Sequence, residues 1–286
     1  MPTIAENMKY WDGEYSWEHR GDEWSRSWGD VSIQWYGTIL PRIHRFLPAG
    51  TVLEIGCGYG RWSYFLKDRC AHLVLIDLSR KCIEACRERF QGCPQILLHC
   101  NDGTSLDMVD DESVDFVFSF DALPLVDPPT IEAYIAQLPR VLKDGGSAFL
   151  HHSNLGAYPR LFAILNRAPA LRWLLEATRI VDRDFHWRDV GVSADSVRNM
   201  AARYGLSCES QELFRWGTRR VYLDAFSVIR KGGASSPRRY RSLKNAFFDR
   251  EAENLRRLSR LYSDAEDGGD VLLRSRHAGF ESELNC

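Results

Sequence analysis

The sequence predicts an α/β fold on a doubly wound, mostly parallel sheet, and three observations carry the prediction. An apolar run, Val52-Leu53-Glu54-Ile55, ends in the turn Gly56-Cys57-Gly58-Tyr59-Gly60. A second run, Leu73-Val74-Leu75-Ile76, closes on Asp77 about twenty residues further on, which is the layout of a nucleoside-binding βαβ unit. Further apolar runs then alternate with helix-forming stretches. Glycine suits the turn because the backbone must bend sharply and approach a ligand closely, where a Cβ would obstruct both. Asp77, at the carboxyl end of the second strand, can accept hydrogen bonds from both ribose hydroxyls.

The elements follow in order. Ile39 to Phe46 reads as a helix closed by Pro48-Ala49-Gly50, and Tyr59 to Lys67 as a helix opened by the glycine turn. Ser79 caps the helix from Arg80 to Phe90. Strands near 52–55, 73–77, 96–100, 114–120 and 147–152 are mostly continuous apolar runs, as a parallel sheet covered on both faces demands. Ser207 to Phe214 and Tyr222 to Arg230 read as a closing antiparallel pair.

The chain has 286 residues, enough for one sizeable α/β domain with additions or for two small domains. Lys and Arg number 37 against 39 acids, so no strong electrostatic footprint for nucleic acid is present. No run reaches the roughly twenty apolar residues of a membrane span, and Met1-Pro2-Thr3-Ile4-Ala5-Glu6 lacks the basic and apolar regions of a signal peptide, so a cytoplasmic location is expected. The eight cysteines, Cys57, Cys70, Cys82, Cys86, Cys93, Cys100, Cys208 and Cys286, then read as reduced thiols. Cys82 and Cys86 share a helical face, but there is no Cys-x-x-Cys pair and no metal is expected.

Glu54-Ile55-Gly56-Cys57-Gly58-Tyr59-Gly60, then Asp77, then Asn101-Asp102-Gly103 after Ile96-Leu97-Leu98, resembles the class I S-adenosylmethionine-dependent methyltransferases. Their spacing is Gly-x-Gly-x-Gly, which fits a ligand with no pyrophosphate to cradle. Val114-Asp115-Phe116-Val117-Phe118-Ser119-Phe120 is similar to the family's fourth strand, and the stretch from Leu138 to Gly146 to its helix and turn before the fifth. The resemblance, over residues 36 to 231, implies a Rossmann-like class I methyltransferase fold with seven strands, one of them antiparallel, and S-adenosyl-L-methionine as cofactor. It implies a cofactor site of Glu54, Gly56, Cys57, Gly58, Gly60 and Trp62 on the first unit, and Asp77 and Leu78 after the second strand. Asn101, Asp102, Gly103 and Ser119 complete it, with Asp102 toward the adenine amino group and Glu54 toward the methionine amino end, directly or through water.

Around this domain the chain carries additions. Residues 1 to 35 hold five of the nine tryptophans, more aromatic area than a solvated arm needs, and read as a helical flap packed on the domain or a lid over cofactor and acceptor. An insertion at about 153 to 192 gives two short amphipathic helices split by Pro169, at the sheet edge where ligands bind. Its Arg160, Arg167, Arg172, Arg179, Arg183 and Arg188 read mostly as solvated helix faces, with one or two available to clamp an anionic acceptor. After a linker at 232–237, Ser242 to Tyr262 reads as a charged helix with Leu243, Phe247, Leu255, Leu258 and Leu261 on one stripe. That stripe packs back on the domain or serves a second copy in a homodimer, and the tail beyond it has a disordered composition.

For chemistry, His151-His152 lie at the end of the fifth strand, where adjacent residues face opposite sides, so one of the two is the candidate general base or acceptor ligand and the other packs. Asp121, just after the fourth strand, is the other catalytic candidate: it orients a histidine, takes a hydroxyl proton, or caps the next segment. Gly21-Asp22-Glu23-Trp24-Ser25, Gly60-Arg61-Trp62, Phe118-Ser119-Phe120-Asp121 and His151-His152-Ser153-Asn154 resemble a bacterial methyltransferase group of polysaccharide, sugar and specialised-metabolite pathways. That group's Val-His pair after the Phe-Asp is replaced here by Leu123-Pro124-Leu125-Val126. The leading expectation is O-methylation of a hydroxyl on a sugar or other small-molecule or glycan acceptor. N-methylation of an amine, a non-catalytic scaffold, and another use of the sulfonium are the alternatives; the intact glycine turn and Asp77 speak against the scaffold.

Overall fold

The structure is a computed structural model and describes residues 3–178, 187–218, 220–232 and 239–263. Eight strands form one sheet: β1 (Ala49–Ile55), β2 (Cys70–Asp77), β3 (Ile96–Cys100), β4 (Val114–Ser119), β5 (Leu142–Ser153), β6 (Leu206–Phe214), β7 (Asp224–Lys231) and β8 (Arg241–Asn245). Their order is β3-β2-β1-β4-β5-β7-β6-β8. The first five run parallel, and β7 lies antiparallel between β5 and β6.

The helices are α1 (Ile4–Lys9), α2 (Val31–Gln34), α3 (Leu40–Ile43), α4 (Ser63–Leu66), α5 (Arg80–Arg89), α6 (Pro128–Val141), α7 (Pro159–Arg167), α8 (Pro169–Ala177), α9 (Ala194–Arg203) and α10 (Phe248–Leu261). Ser79 caps α5 as expected, its hydroxyl accepting from the Cys82 amide at 3.1 Å. The helix expected at Ile39 starts earlier, because the Asp30 carboxylate accepts from the Ile33 amide and helical backbone then continues through Phe46.

Alternation along the strands sends side chains to two cores. Val52, Phe116, Phe118 and Phe149 join Trp35, Ile39 and Ile43 on one face. Leu53, Ile55, Val117 and Leu150 join Ile131, Ile135 and Leu138 of α6 and Val197 of α9 on the other. The insertion has a small core of its own, in which Phe162 and Leu165 of α7 meet Leu155, Val221 and Leu223.

Two expectations are corrected here. The sheet has eight strands, where seven were expected, because Arg241 to Asn245 pair in parallel with β6 from Ser210 to Phe214. The helix expected from Ser242 therefore begins at Phe248, and its phase changes: Phe248 and Ala252 are buried, with Leu255 packed against them, whereas Phe247, Leu258 and Leu261 face outward. Local propensity favours a helix at 242, but the outer edge of β6 offers unpaired backbone groups, and pairing with them wins. The tail beyond 263 and most of the expected linker lie outside the described residues.

Arg42 of α3 ties α10 to the sheet: its guanidinium donates to Glu212 of β6 and to Glu251 of α10, each at 2.8 Å. Arg42→Met leaves two half-buried carboxylates facing each other, and urea unfolding should show a loss of about 1–3 kcal/mol.

Candidate active site

The strand order reverses between β1 and β4, and there, at the carboxyl ends of the strands, the molecule opens a cleft. It holds about 840 Å³ when the open solvent at its mouth is included. Gly56, Cys57, Gly58, Trp62, Asp77 and Leu78 line it, as do Gly103 and Asp121. These are eight of the residues expected from the sequence.

The glycine turn is built as its spelling requires. Gly56 has φ +75°, and a Cβ there would sit 2.2 Å from the Ala122 methyl group. Asp77 bridges the turn to the next helix, one carboxylate oxygen accepting from the Gly58 amide at 2.8 Å and the other from the Ser79 amide at 2.9 Å. Burial nevertheless pushes its carboxyl up to about 6, against those amides. An anion in this position gains from further donors, and a ribose diol carries two.

Other expected residues stand back from the cleft. Gly60 packs under Phe90, whose ring lies 2.7 Å from where a Cβ would be. Glu54 is buried and receives the Ser63 hydroxyl at 2.6 Å; burial pushes its carboxyl up to about 8, against that hydrogen bond and the charge of Arg61. Asn101 holds Ser105, Tyr134 and Gly103, and Ser119 donates to the Ile55 carbonyl. The exposed Asp102 turns one oxygen into its own loop, accepting from the Thr104 and Ser105 amides. In place of Asp102, Tyr134 and Gly103 line that end.

The histidines are placed differently from the expectation that one faces the acceptor. His152 points to the α9 side, with Nδ1 at 2.8 Å from the Ser153 carbonyl and Nε2 at 2.7 Å from the Ser227 hydroxyl, and burial lowers it to about 4. His151 lies beneath Asp121 and does not line the cleft. Asp121 is the group that reaches the cleft, with Oδ2 at 2.5 Å from Arg61 Nη2 and Oδ1 at 3.2 Å from His151 Nδ1. Burial pushes its carboxyl up, but His151 and Arg61 outweigh that and hold it below the usual carboxylate range. His151 itself is pulled down by burial and raised more strongly by Asp121 and Asp224.

Arg61 and Phe120 also line the cleft and were not expected there, and Asn7 and Arg20 of the leader line it too. For Arg61 the signal was present: a cation in an apolar stretch directly after the glycine turn. Of the insertion's arginines, Arg160 and Arg167 are exposed and Arg188 turns inward to Asp224. The Arg172 side chain and all of Arg179 and Arg183 lie outside the described residues.

The leader covers the cleft from four loops. Trp17 stacks on Tyr59 with centroids 4.3 Å apart, Asp12 bonds to the Ser79 hydroxyl, Ile4 rests on Gly103, and Asn7 donates to the Leu125 carbonyl at 3.1 Å. Further along it, Trp28 and Trp35 are buried in the main core.

Comparison with known proteins agrees with this geometry. Residues 52–146 match the family described as "Methyltransferase domain". The chain is 34% identical over 119 residues to phosphoethanolamine N-methyltransferase 1 of Triticum aestivum, covering 40% of this chain and 24% of that protein. It is 30% identical over 109 residues to methyltransferase nsrG of Aspergillus novofumigatus (strain IBT 16806), covering 37% of this chain and 42% of that one. The chain thus spans about a quarter of the length of the plant relative it matches. A SAM-dependent methyltransferase structure from Methanosarcina mazei superposes with a TM-score of 0.51 at 20% identity, covering 68% of this chain and 98% of its own. The fold is the Rossmann-like class I methyltransferase fold, with the methyltransferase-domain match confined to residues 52–146. The cofactor they indicate is S-adenosyl-L-methionine, and a cleft lined by the glycine turn with the Asp77 carboxylate beside it fits it.

Asp77→Ala should largely abolish binding of S-adenosylhomocysteine in calorimetry. Because ribose hydroxyls favour the ionised carboxylate, affinity should be full above a pH of about 6 and weaken as the pH falls below it, a dependence that Asp77→Asn removes. Gly60→Ala should instead lower thermal stability by about 1–3 kcal/mol and leave that affinity nearly unchanged well below the melting temperature.

Proposed function

We propose that the chain transfers a methyl group from S-adenosyl-L-methionine to a hydroxyl of a sugar or other small-molecule or glycan acceptor, with Asp121 as the residue that receives the acceptor's proton. The observation that carries this reading is the placement of the Asp121 carboxylate, which lines the cleft and is held by Arg61 on one oxygen and His151 on the other. When bound, the cofactor supplies an electrophilic methyl group on a sulfonium. The protein's tasks are to align the acceptor oxygen, exclude water and take the proton.

A carboxylate below its usual range discriminates between acceptors. Beside an amine it keeps the ammonium protonated, and a protonated amine has no lone pair for displacement. An alcohol behaves differently, since its proton grows acidic as the oxygen bonds to carbon, so even a weakly basic carboxylate takes it. The indoles of Trp24 and Trp62, with Arg61 stacked 4.2 Å from the Trp62 ring centroid, add flat apolar walls against which a ring-shaped polyol can lie. The leader, closed over four loops, supplies the water exclusion.

Amine methylation is the second reading, supported by the wheat relative's name, which carries an amine substrate. Incubation with labelled cofactor and a panel of sugars, phenols, amines and carboxylates, followed by mass spectrometry, separates the two. The hydroxyl reading expects labelled ethers and no labelled phosphoethanolamine; the reverse pattern would overturn it. Asp121→Asn should lower kcat by about a hundredfold to ten-thousandfold while S-adenosylhomocysteine affinity stays nearly unchanged.

A further inference from the structure

A row of alternating basic and acidic side chains, buried at Arg61, His151 and Asp224 and half-buried at Asp121 and Arg188, runs away from the cleft: Arg61, Asp121, His151, Asp224, Arg188. Its members come from five places in the chain, namely the glycine turn, the end of β4, β5, the start of β7 and the segment before α9. Asp224 is 1% exposed, and Arg188 grips it with Nε at 2.7 Å and Nη2 at 2.8 Å from its two oxygens. His151 Nε2 lies 3.8 Å from Asp224 Oδ2, an ion-pair separation, and makes no hydrogen bond among the described residues. Phe120, Phe214 and Phe226 surround the imidazole with ring centroids 5.0, 5.5 and 5.1 Å away. In that apolar jacket the two flanking carboxylates are the charges that the ring feels most strongly.

The other end of the ring meets Asp121 twice. Nδ1 is 3.2 Å from Oδ1, and the Asp121 backbone N–H is directed at the same nitrogen with the two nitrogens 3.1 Å apart. A protonated Nδ1 donates to the carboxylate; an unprotonated one accepts the backbone N–H and releases the carboxylate. Asp121 also has φ +64°, a left-handed backbone that a residue with a Cβ keeps only when its surroundings hold it there. A proton on Nδ1 therefore decides whether the Asp121 side chain has two anchors or one, and only the imidazolium, protonated on both nitrogens, guarantees that proton, because the neutral ring divides its single proton between Nδ1 and Nε2.

We propose that Asp224 and Arg188 are positioning residues for methyl transfer, holding the His151 ring as the cationic centre of this row and so fixing the Asp121 carboxylate that faces the acceptor. The proposal rests on the reading of Asp121 given above, and neither residue touches the cleft. The groups facing His151 are Asp121 and Asp224, with Arg61 and Arg188 behind them; His152 points to the opposite side of the sheet.

The test uses the full chain with Asp224→Asn and Arg188→Lys. Steady-state rates should show kcat reduced about a hundredfold in Asp224→Asn, the scale of a misplaced catalytic group, with KM for the acceptor and affinity for S-adenosylhomocysteine little changed. The remaining rate of Asp224→Asn should fall as pH rises through the histidine range, whereas the native rate should stay level there. Arg188→Lys keeps the charge but loses the two-pronged grip, and its kcat should lie between the two. A second readout needs no acceptor: in protein labelled with nitrogen-15 histidine, with His151 assigned through His151→Gln, the His151 signals should be those of an imidazolium at neutral pH and become those of a neutral ring in Asp224→Asn. A neutral His151 in the native protein, signals unmoved by Asp224→Asn, or an unchanged kcat would each overturn the proposal. Should Asp224→Asn not fold, Arg188→Lys carries the same measurements, with an intermediate loss of kcat and a lowered His151 pKa expected and native values of both overturning the proposal. If no hydroxyl acceptor is methylated while the His151 signals behave as expected, the acceptor reading fails and the row stands.

Discussion

Two backbone amides, from Gly58 and Ser79, converge on the carboxylate of Asp77, and the cleft is organised around that convergence. The first amide belongs to the turn after β1 and the second opens α5, so one side chain fixes how two neighbouring loops sit at the point where the sheet reverses. Parallel strands make such a point unavoidable, because crossovers leave opposite sides of the sheet on either flank and open a crevice between them. Asp77 places an anion in that crevice where both loops share it.

The same economy of partners holds further from the cofactor end. Charges buried among phenylalanine rings are costly unless each has an opposite neighbour, and in the row from Arg61 to Arg188 each carboxylate lies between two basic side chains. A polar constellation of this kind gains geometric definition from its burial, since no member can leave without stranding the next. His152, one residue along, shows the contrast: turned to the other face, it finds a carbonyl and a hydroxyl and serves packing.

Much of this was legible in the sequence because much of it is local. The glycine turn, the strand ends and the Ser79 cap follow from backbone conformation and hydrophobic period, which act over a few residues. β8 was not legible, because its pairing depends on an open edge of β6 that only the folded sheet presents. Parity along β5 placed His151 and His152 on opposite faces, but not which face meets the cleft or that Asp121 would stand between. Asp224 and Arg188 are 36 residues apart in the chain, and no spacing rule joins them. The eight residues that line the cleft as expected lie on the turns that end β1 to β4; Glu54, Ser119, Asn101 and Asp102 lie at the same strand ends, but their side chains turn to other partners.

The leader's attachments have a kinetic meaning. Each is modest, a ring stack, two hydrogen bonds and an apolar contact, yet they grip four separate loops, so the segment leaves the cleft only when all four release together. In the proposed role of a lid, it lets a ligand beneath it depart only at the frequency of that concerted opening. On that reading residence time and affinity are set by different parts of the chain, exchange by the aromatic leader and tightness by the cleft walls.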